Sequence, residues 1–189
     1  MTDTVRSRAK ADRRQAMLNA AAHLFAERGF ARASLEDLGA AVGVSGPAFY
    51  RHFEGKQAVL GALLVGVSEG LATGGRAVVD NAPDDAAALH ALIAFHVDFA
   101  LANADVIRVQ DRDLDSLTDA DRHSVRALQR TYVELWVDVL GRLRPSEARS
   151  SLRTQAHATF GLINSTPHSG STSETRAILE RMAGAALSA

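Results

Sequence analysis

The residues best suited to chemistry form two short predicted helices that flank a tight turn. Helical patterns over 35–42 and 46–53 are separated by Gly43-Val44-Ser45, which is the spacing of a helix-turn-helix. Ala40 and Ala41 are small enough for the helices to approach closely, Gly43 can turn the chain, and Val44 can fill the gap between the helices. The second helix then presents a short polar face to a DNA major groove, which is about 12 Å wide.

Helical periodicity runs through almost the whole chain and strand signals are nearly absent, so the sequence predicts an all-α fold of about nine helices. The first helix is predicted over 13–28 and ends at Gly29. Ser34 and Asp37 have the spacing of a capping box before the second helix, and Ser146 is the predicted cap of a helix that runs to residue 163. The other helices are predicted from Lys56, over 86–102 and 105–114, from either Asp119 or Asp121 to residue 143, and over 173–187.

Glycines interrupt the helix predicted from Lys56. Five of them lie between residues 61 and 75, so we expect this helix to bend or to end early.

The composition is that of a globular chain with a basic end. Apolar residues make up 47% and charged residues 23% of the 189 residues, and the lack of cysteine excludes disulfides and thiolate metal sites. Residues 1–56 carry a net charge of +3 and residues 57–189 a net charge of −4, so the first third is expected to meet a polyanion. Glycines and charges interrupt each apolar stretch before the roughly 18 residues of a membrane helix, and residues 1–14 lack the apolar core of a secretory signal, so we expect a cytoplasmic protein without membrane contact.

The turn and its flanks resemble the signature of the tetracycline-repressor (TetR) family. The chain reads Gly-Val-Ser-Gly-Pro-Ala-Phe-Tyr-Arg-His-Phe over 43–53, and Lys56 follows. The family pattern is Gly-Val-Ser, three variable residues, an aromatic residue or Leu, Tyr, a variable residue, His-Phe, and a Lys that opens the next helix. Residues 20–30 resemble the family's first helix, whereas Gln57 replaces a residue that is usually acidic. The resemblance covers about residues 13–60.

This resemblance implies a homodimeric transcriptional regulator, usually a repressor, that a small ligand releases from double-stranded operator DNA. Residues 1–56 would form a helix-turn-helix DNA-binding domain, and residues 57–189 a helical ligand-binding and dimerisation domain. A basic N-terminal arm with Arg6, Arg8 and Lys10 would be either disordered and directed at the DNA or a solvated tail.

The resemblance also implies a set of DNA-binding residues. Phe49 and Phe53 are expected to be core residues that seat the second helix of the motif. Arg51 is the candidate for a bidentate guanine contact. Phosphate donors would be Ser34, Tyr50, His52 and Lys56, and the residues near the groove would be Ser45, Gly46, Pro47, Ala48 and Arg51.

Aromatic residues predict an apolar pocket between helices of the second domain. The long helix predicted over 121–143 carries Tyr132 and the only tryptophan, Trp136. Plain core packing is the alternative for these rings, and His96 or His157 could bind a ligand head group or be core histidines bonded to backbone. The segments over 105–114 and 132–136 resemble regulators of lipid and sterol breakdown that bind fatty acids or acyl-coenzyme A. The candidate ligand residues are Leu63, Val67, Phe95, His96, Phe99, Tyr132, Trp136, Phe160 and Asn164.

The last two predicted helices resemble the pair through which the family dimerises. Two helices from each protomer would form a four-helix bundle. The predicted interface stripe is Phe160, Ile163, Ile178 and Met182.

No catalytic or metal-binding constellation can be assembled from the sequence. The segment from Asp111 begins like a calcium loop, but Ser116 and Arg122 stand where Gly and Glu are required. We therefore expect no enzyme, no metal and no cofactor. Two alternatives stay open: an all-α small-molecule-binding protein or enzyme with a vestigial helix-turn-helix, and a DNA-binding dimer that takes no ligand.

Overall fold

The computed structural model describes residues 2–44, 49–168 and 172–188, apart from the side chains of residues 2–7 and 9. Within this part the fold is all-α, as predicted, with eight α-helices and short 3₁₀ turns at Leu114–Ser116 and Thr166–His168. The predicted helix over 46–53 begins outside the described residues, and its described residues Phe49 and Tyr50 are helical. The helix bounds are Thr2–Arg28 (α1), Leu35–Ala41 (α2), Lys56–Asp80 (α3), Asp85–Ala102 (α4), Ala104–Asp113 (α5), Asp119–Leu143 (α6), Arg149–Ile163 (α7) and Ser173–Ser188 (α8).

The helices enclose two apolar cores. The larger core lies in the C-terminal bundle, where α4, α6, α7 and α8 surround Trp136 and Leu140. The smaller core joins α1, α2 and the start of α3, and it contains Phe25 and Leu60. Val109 of α5 also belongs to the smaller core, so α5 packs directly against the N-terminal helices.

The N-terminal arm is helical, which corrects the expectation of a disordered arm and leaves open the alternative of a solvated one. α1 begins at Thr2 and includes Arg6, Arg8 and Lys10. This segment contains neither Gly nor Pro, and its Ala, Arg and Lys residues are strong helix formers. The side chains of Arg8 and Lys10 are exposed.

α3 runs without interruption from Lys56 to Asp80, so the expected bend or early end was wrong. Three of its glycines lie at close contacts with neighbouring helices, and the first is Gly61, where a Cβ atom would lie 2.4 Å from Oδ2 of Asp121 in α6. A Cβ atom on Gly74 would lie 2.5 Å from Cζ of Phe95 in α4, and one on Gly75 would lie 2.5 Å from Cε2 of Tyr132 in α6. A glycine in a helix is less favourable than alanine by about 1 kcal/mol. Close packing against these neighbouring helices compensates for that cost.

The start of α7 also differs from the prediction, because Ser146 does not cap it. The N-cap position is Ala148, which makes no side-chain capping bond. The preceding turn is held instead by Glu147, whose carboxylate accepts hydrogen bonds from Arg144 at 3.1 Å and from Gln155 at 3.0 Å. Side chains on both sides of the turn therefore fix the turn, although none of them caps the helix.

α3 and α4 are long enough, and apolar enough on average, to cross a membrane, although glycines or charges interrupt the apolar stretches of both helices. Their mean hydropathies are 1.5 and 1.4 over 18-residue windows. The two helices pack against each other and against α6. Core helices of a bundle pass the same test of length and composition.

Candidate DNA-binding surface and ligand cavity

The turn after α2 has the geometry that the sequence predicted. Gly43 has a φ of +67°, in the left-handed region that favours glycine. The Val44 amide donates to the Gly39 carbonyl at 2.9 Å and closes the turn, and the Val44 side chain packs partly buried against the smaller core. The turn thus leads the chain away from α2 in a fixed direction.

Two phenylalanine rings seat the residues that follow, which we call the recognition segment (residues 49–53). Phe49 is fully buried and Phe53 is buried, with ring centroids 5.6 Å apart, so their predicted core role is confirmed. Tyr50 is 53% exposed and Arg51 is also exposed, and neither side chain has a partner among the described residues. His52 is half-buried. The predicted contacts Ser45, Gly46, Pro47 and Ala48 lie outside the described residues.

Ser34, a predicted phosphate donor, is occupied at the start of α2. Its hydroxyl accepts from the Asp37 amide at 3.1 Å and donates to the Asp37 carboxylate at 2.7 Å, while the Ser34 amide donates to the same carboxylate at 3.0 Å. The predicted capping box is therefore confirmed. These hydrogen bonds from Ser34 lower the pKa of Asp37, because they favour its charged form.

Lys56 is occupied in a similar way. Its ammonium donates to the carbonyl oxygens of Phe30, Ala31 and Ala33 at 2.9, 3.0 and 3.1 Å, and it lies 4.7 Å from the centroid of the Phe30 ring. An ammonium has three donors, and all three are in use. The predicted phosphate contact of Lys56 would therefore require it to leave a carbonyl that joins α3 to the loop between α1 and α2.

A cavity of about 230 Å³ lies among α3, α4, α5, α6 and α7. Most of its wall is apolar, and Ser68, Gln110 and Gln129 add polar groups that the sequence analysis did not single out. Each of the three is a polar residue on the inward face of its helix, and a single polar residue on such a face is a weak signal of a ligand site in a sequence alone. The candidate ligand residues that line the cavity are His96, Phe99, Tyr132, Phe160 and Asn164.

Four candidate ligand residues do not line this cavity. Trp136 is fully buried and packs against Phe160, with ring centroids 5.0 Å apart. Phe95 packs on Gly74 of α3. Leu63 and Val67 border a separate depression beside α1. Helical periodicity identifies an inward face but does not say which interior space that face meets.

His96 is the centre of a buried polar network on the cavity wall. Its Nε2 atom lies 3.2 Å from Oδ1 of Asn164, and its Nδ1 atom lies 3.3 Å from the hydroxyl of Tyr132. Burial lowers the pKa of His96 to about 4 and raises the pKa of Tyr132, so the imidazole is neutral and the phenol protonated at pH 7. The phenol can then donate to Nδ1 while Nε2–H donates to Asn164. The histidine is satisfied by side chains and not by backbone.

The predicted dimerisation stripe is divided by the structure. Phe160 lines the cavity and Ile163 is fully buried in the larger core, so neither shares an outer surface with α8. The reason is that the inward arc of α7 includes these two positions. Ile178 and Met182 are 37% and 48% exposed on α8.

α5 links the cavity to the N-terminal helices. Ile107 and Gln110 of α5 line the cavity. Beyond them, the Arg112 guanidinium donates to the carbonyls of Phe25 and Ala26 at the C-terminal end of α1. A cation at this end of a helix is favourable because it satisfies unpaired carbonyls and the helix dipole. A displacement of α5 would therefore act on α1 directly.

Comparisons with known proteins agree with this architecture. A model described as bacterial regulatory proteins of the tetR family matches residues 17–63, and one described as tetracyclin repressor-like, C-terminal domain, matches residues 82–168. The HTH-type transcriptional repressor KstR2 of Rhodococcus jostii (strain RHA1) is 29% identical over 132 residues. That alignment covers 69% of this chain and 65% of the relative, so it spans slightly less than two thirds of the relative's length.

Solved structures share the fold at low sequence identity. A TetR-family transcriptional regulator from Bordetella parapertussis 12822 has a TM-score of 0.83 and 24% identity, with 92% of this chain and 93% of that chain covered. AibR in complex with isovaleryl coenzyme A and operator DNA has a TM-score of 0.75 and 17% identity, with 92% and 97% covered. The two family models include both the helix-turn-helix and the core of the cavity bundle, and the chain belongs to the TetR family of bacterial regulatory proteins.

Proposed function

We propose that this protein is a DNA-binding transcriptional repressor that leaves its operator when a small ligand fills the cavity. The observation that carries the proposal is that α5 lines the cavity with Ile107 and Gln110 and hydrogen-bonds to the end of α1 through Arg112. Residues 1–56 would be the DNA-binding domain, and residues 57–189 the ligand-binding and dimerisation domain. The relative KstR2 is named a repressor, and AibR was solved with both a coenzyme A ester and operator DNA, which supports both halves of the proposal.

The recognition segment would contact DNA with its outward side chains. Arg51 would form a bidentate contact with guanine in the major groove, and Tyr50 and His52 would donate to phosphates. Residues 45–48 would lie against the groove on the same segment. Ser34 and Lys56 would act by holding the helices in place, since their donors are taken up within the protein.

Two protomers would dimerise through the outer faces of α7 and α8. Ile178 and Met182 are large apolar side chains left exposed on α8, and the small residues Ala158 and Gly161 are exposed on α7. Small residues let helices approach closely, so these faces suit a four-helix bundle. A dimer would set two recognition segments about one helical turn of DNA apart, or about 34 Å.

We assign no enzymatic role to the cavity. His96 is hydrogen-bonded to both Tyr132 and Asn164, so among the described residues this network offers no nucleophile with an adjacent free base. A regulator of this kind would act in the cytoplasm, where the bacterial chromosome lies.

The test is binding to DNA that flanks the protein's own gene, measured by fluorescence anisotropy at several salt concentrations. The affinity should fall with salt at about −0.9 in log-log slope for each phosphate neutralised, and Arg51→Ala should cost about 1–3 kcal/mol and relax the preference at one base position. Arg76→Ala, which removes an exposed arginine of α3, is the matched control. Equal affinity of the wild-type protein for operator and random DNA would contradict the proposal.

A further inference from the structure

A basic groove adjoins the cavity on the outer side of α6 and α7. Its volume is about 450 Å³, and it shares the side chains of Gln129, Val133 and His157 with the cavity wall. Because the same three side chains line both spaces, the groove and the cavity are neighbours. An elongated ligand that passes between these side chains would occupy both. Its inner part would lie in an apolar space and its outer part in a charged one.

This groove, which we call the arginine groove, has more positive than negative side chains in its wall. Arg126 and Arg130 of α6 and Arg153 of α7 line it, with Glu134 as the only carboxylate among its lining residues. Glu134 is already engaged, because it accepts from Arg153 at 2.6 Å and from Arg149 at 2.8 Å. These arginines hold the pKa of Glu134 below its usual value.

Arg126 and Arg130 are exposed and have no ion-pair or hydrogen-bond partner among the described residues. They lie four residues apart on one face of α6, where like charges repel each other. An anion held between them would remove that repulsion, and guanidinium groups bind phosphate oxygens in a bidentate manner. The two arginines therefore favour a phosphate-bearing group in the groove.

The cavity itself favours a short neutral chain. No Asp, Glu, Lys or Arg lines it, and its central His96 is neutral at pH 7. A volume of about 230 Å³ corresponds to about eight groups of the size of a water molecule or a methylene, at roughly 30 Å³ each. An acyl chain of about eight carbons would fill this volume, and a chain of eighteen carbons would exceed it.

We propose that the ligand is a short acyl thioester with a phosphate-bearing carrier, such as an acyl-coenzyme A, whose acyl chain fills the cavity and whose phosphates bind Arg126 and Arg130. This inference rests on the proposed ligand response and adds where the head group binds and how long the chain can be. Gln129 lies at the junction of the two spaces, where its amide could hydrogen-bond the carbonyl of the thioester.

Calorimetric titration of the full-length protein without DNA tests the inference. The probes are octanoyl-coenzyme A, octanoate, coenzyme A alone and stearoyl-coenzyme A. Octanoyl-coenzyme A should bind at least tenfold more tightly than each of the other three. The Arg126→Gln, Arg130→Gln double variant should lose at least tenfold in affinity for octanoyl-coenzyme A and keep its affinity for octanoate.

Arg76→Gln is the matched control, because Arg76 is an exposed arginine on α3 that has no partner among the described residues. Circular dichroism and operator binding of the double variant should match the wild-type protein, which shows that it folds. Unchanged octanoyl-coenzyme A binding in the double variant would overturn the role of the groove while the cavity keeps its ligand. Equal affinity for octanoate and octanoyl-coenzyme A would exclude phosphate recognition, and tighter binding of stearoyl-coenzyme A would overturn the chain-length limit. Absence of binding by all four probes would overturn the inference, whereas operator binding and its release by another ligand would still test the proposed function separately.

Discussion

Replacing Lys56 by methionine distinguishes a side chain that holds the N-terminal helices together from one that contacts DNA. Methionine keeps most of the apolar stem but lacks the ammonium that donates to three carbonyls. A hydrogen bond from a charged donor contributes about 1.5–3 kcal/mol, and the contact with the Phe30 ring adds roughly 0.5–1 kcal/mol. Lys56 is only half-buried, so water can replace much of this interaction. We therefore expect the free energy of unfolding to fall by about 2 kcal/mol, or Tm by roughly 4–8 °C.

Lys10→Met is the matched control for the stability measurement, because Lys10 is the other lysine of the chain and is exposed on α1. Thermal unfolding followed by circular dichroism measures stability, and operator binding at several salt concentrations measures the number of phosphate contacts. If Lys56 acts through the fold, Lys56→Met lowers stability and leaves the salt slope unchanged. Unchanged stability together with a slope that is shallower by about 0.9 per protomer would refute this interpretation and make Lys56 a phosphate contact.

Three other changes test the packing, the buried histidine and the dimer. Gly75→Ala should lower the free energy of unfolding by about 1–3 kcal/mol in chemical denaturation, because its Cβ would lie 2.5 Å from Tyr132. Gly66→Ala, which has open space around it, should be neutral or stabilising. Equal losses of stability in the two variants would contradict the contact with Tyr132. The pKa of His96 is lowered to about 4, from about 6.5 in the unfolded chain, so the unfolded state binds more protons between these two pH values. The free energy of unfolding should therefore fall as the pH falls from 6.5 to 4. His96→Gln should flatten this pH dependence in urea titrations, and an unaltered curve would assign it to other groups. Ile178→Glu should give a monomer in sedimentation with unchanged helix content, while a parallel loss of helix would place Ile178 in the protomer's own core.

Local patterns predicted the parts of the fold that neighbouring residues decide. The capping box of Ser34 and Asp37 and the turn at Gly43 each depend on a few consecutive residues, so their geometry could be predicted. Phe49 and Phe53 could be assigned to the core because the outer positions between them are polar. The membership of the recognition segment in a helix-turn-helix follows from the same short-range pattern.

Contacts between distant helices decided the rest. The glycines of α3 were expected to weaken the helix, but Gly75 accommodates Tyr132, more than fifty residues later in the chain. Ile163 has the hydrophobicity of an interface residue and lies in the core of its own chain. Lys56 matches a phosphate donor by position, yet its ammonium lies on the loop carbonyls. The arginine groove escaped the sequence analysis because it forms only where α6 meets α7.

A single titration tests the central proposal most directly. Octanoyl-coenzyme A is added to the protein bound to fluorescently labelled operator DNA, and the anisotropy of the DNA and the emission of Trp136 are recorded together. Trp136 is the only tryptophan and packs against Phe160 on the cavity wall, so its emission reports on the cavity. The proposal predicts that the emission shifts and the DNA is released over the same ligand concentrations, since release requires tighter ligand binding to the state that does not bind DNA. A Trp136 signal that saturates while the operator stays bound would contradict it.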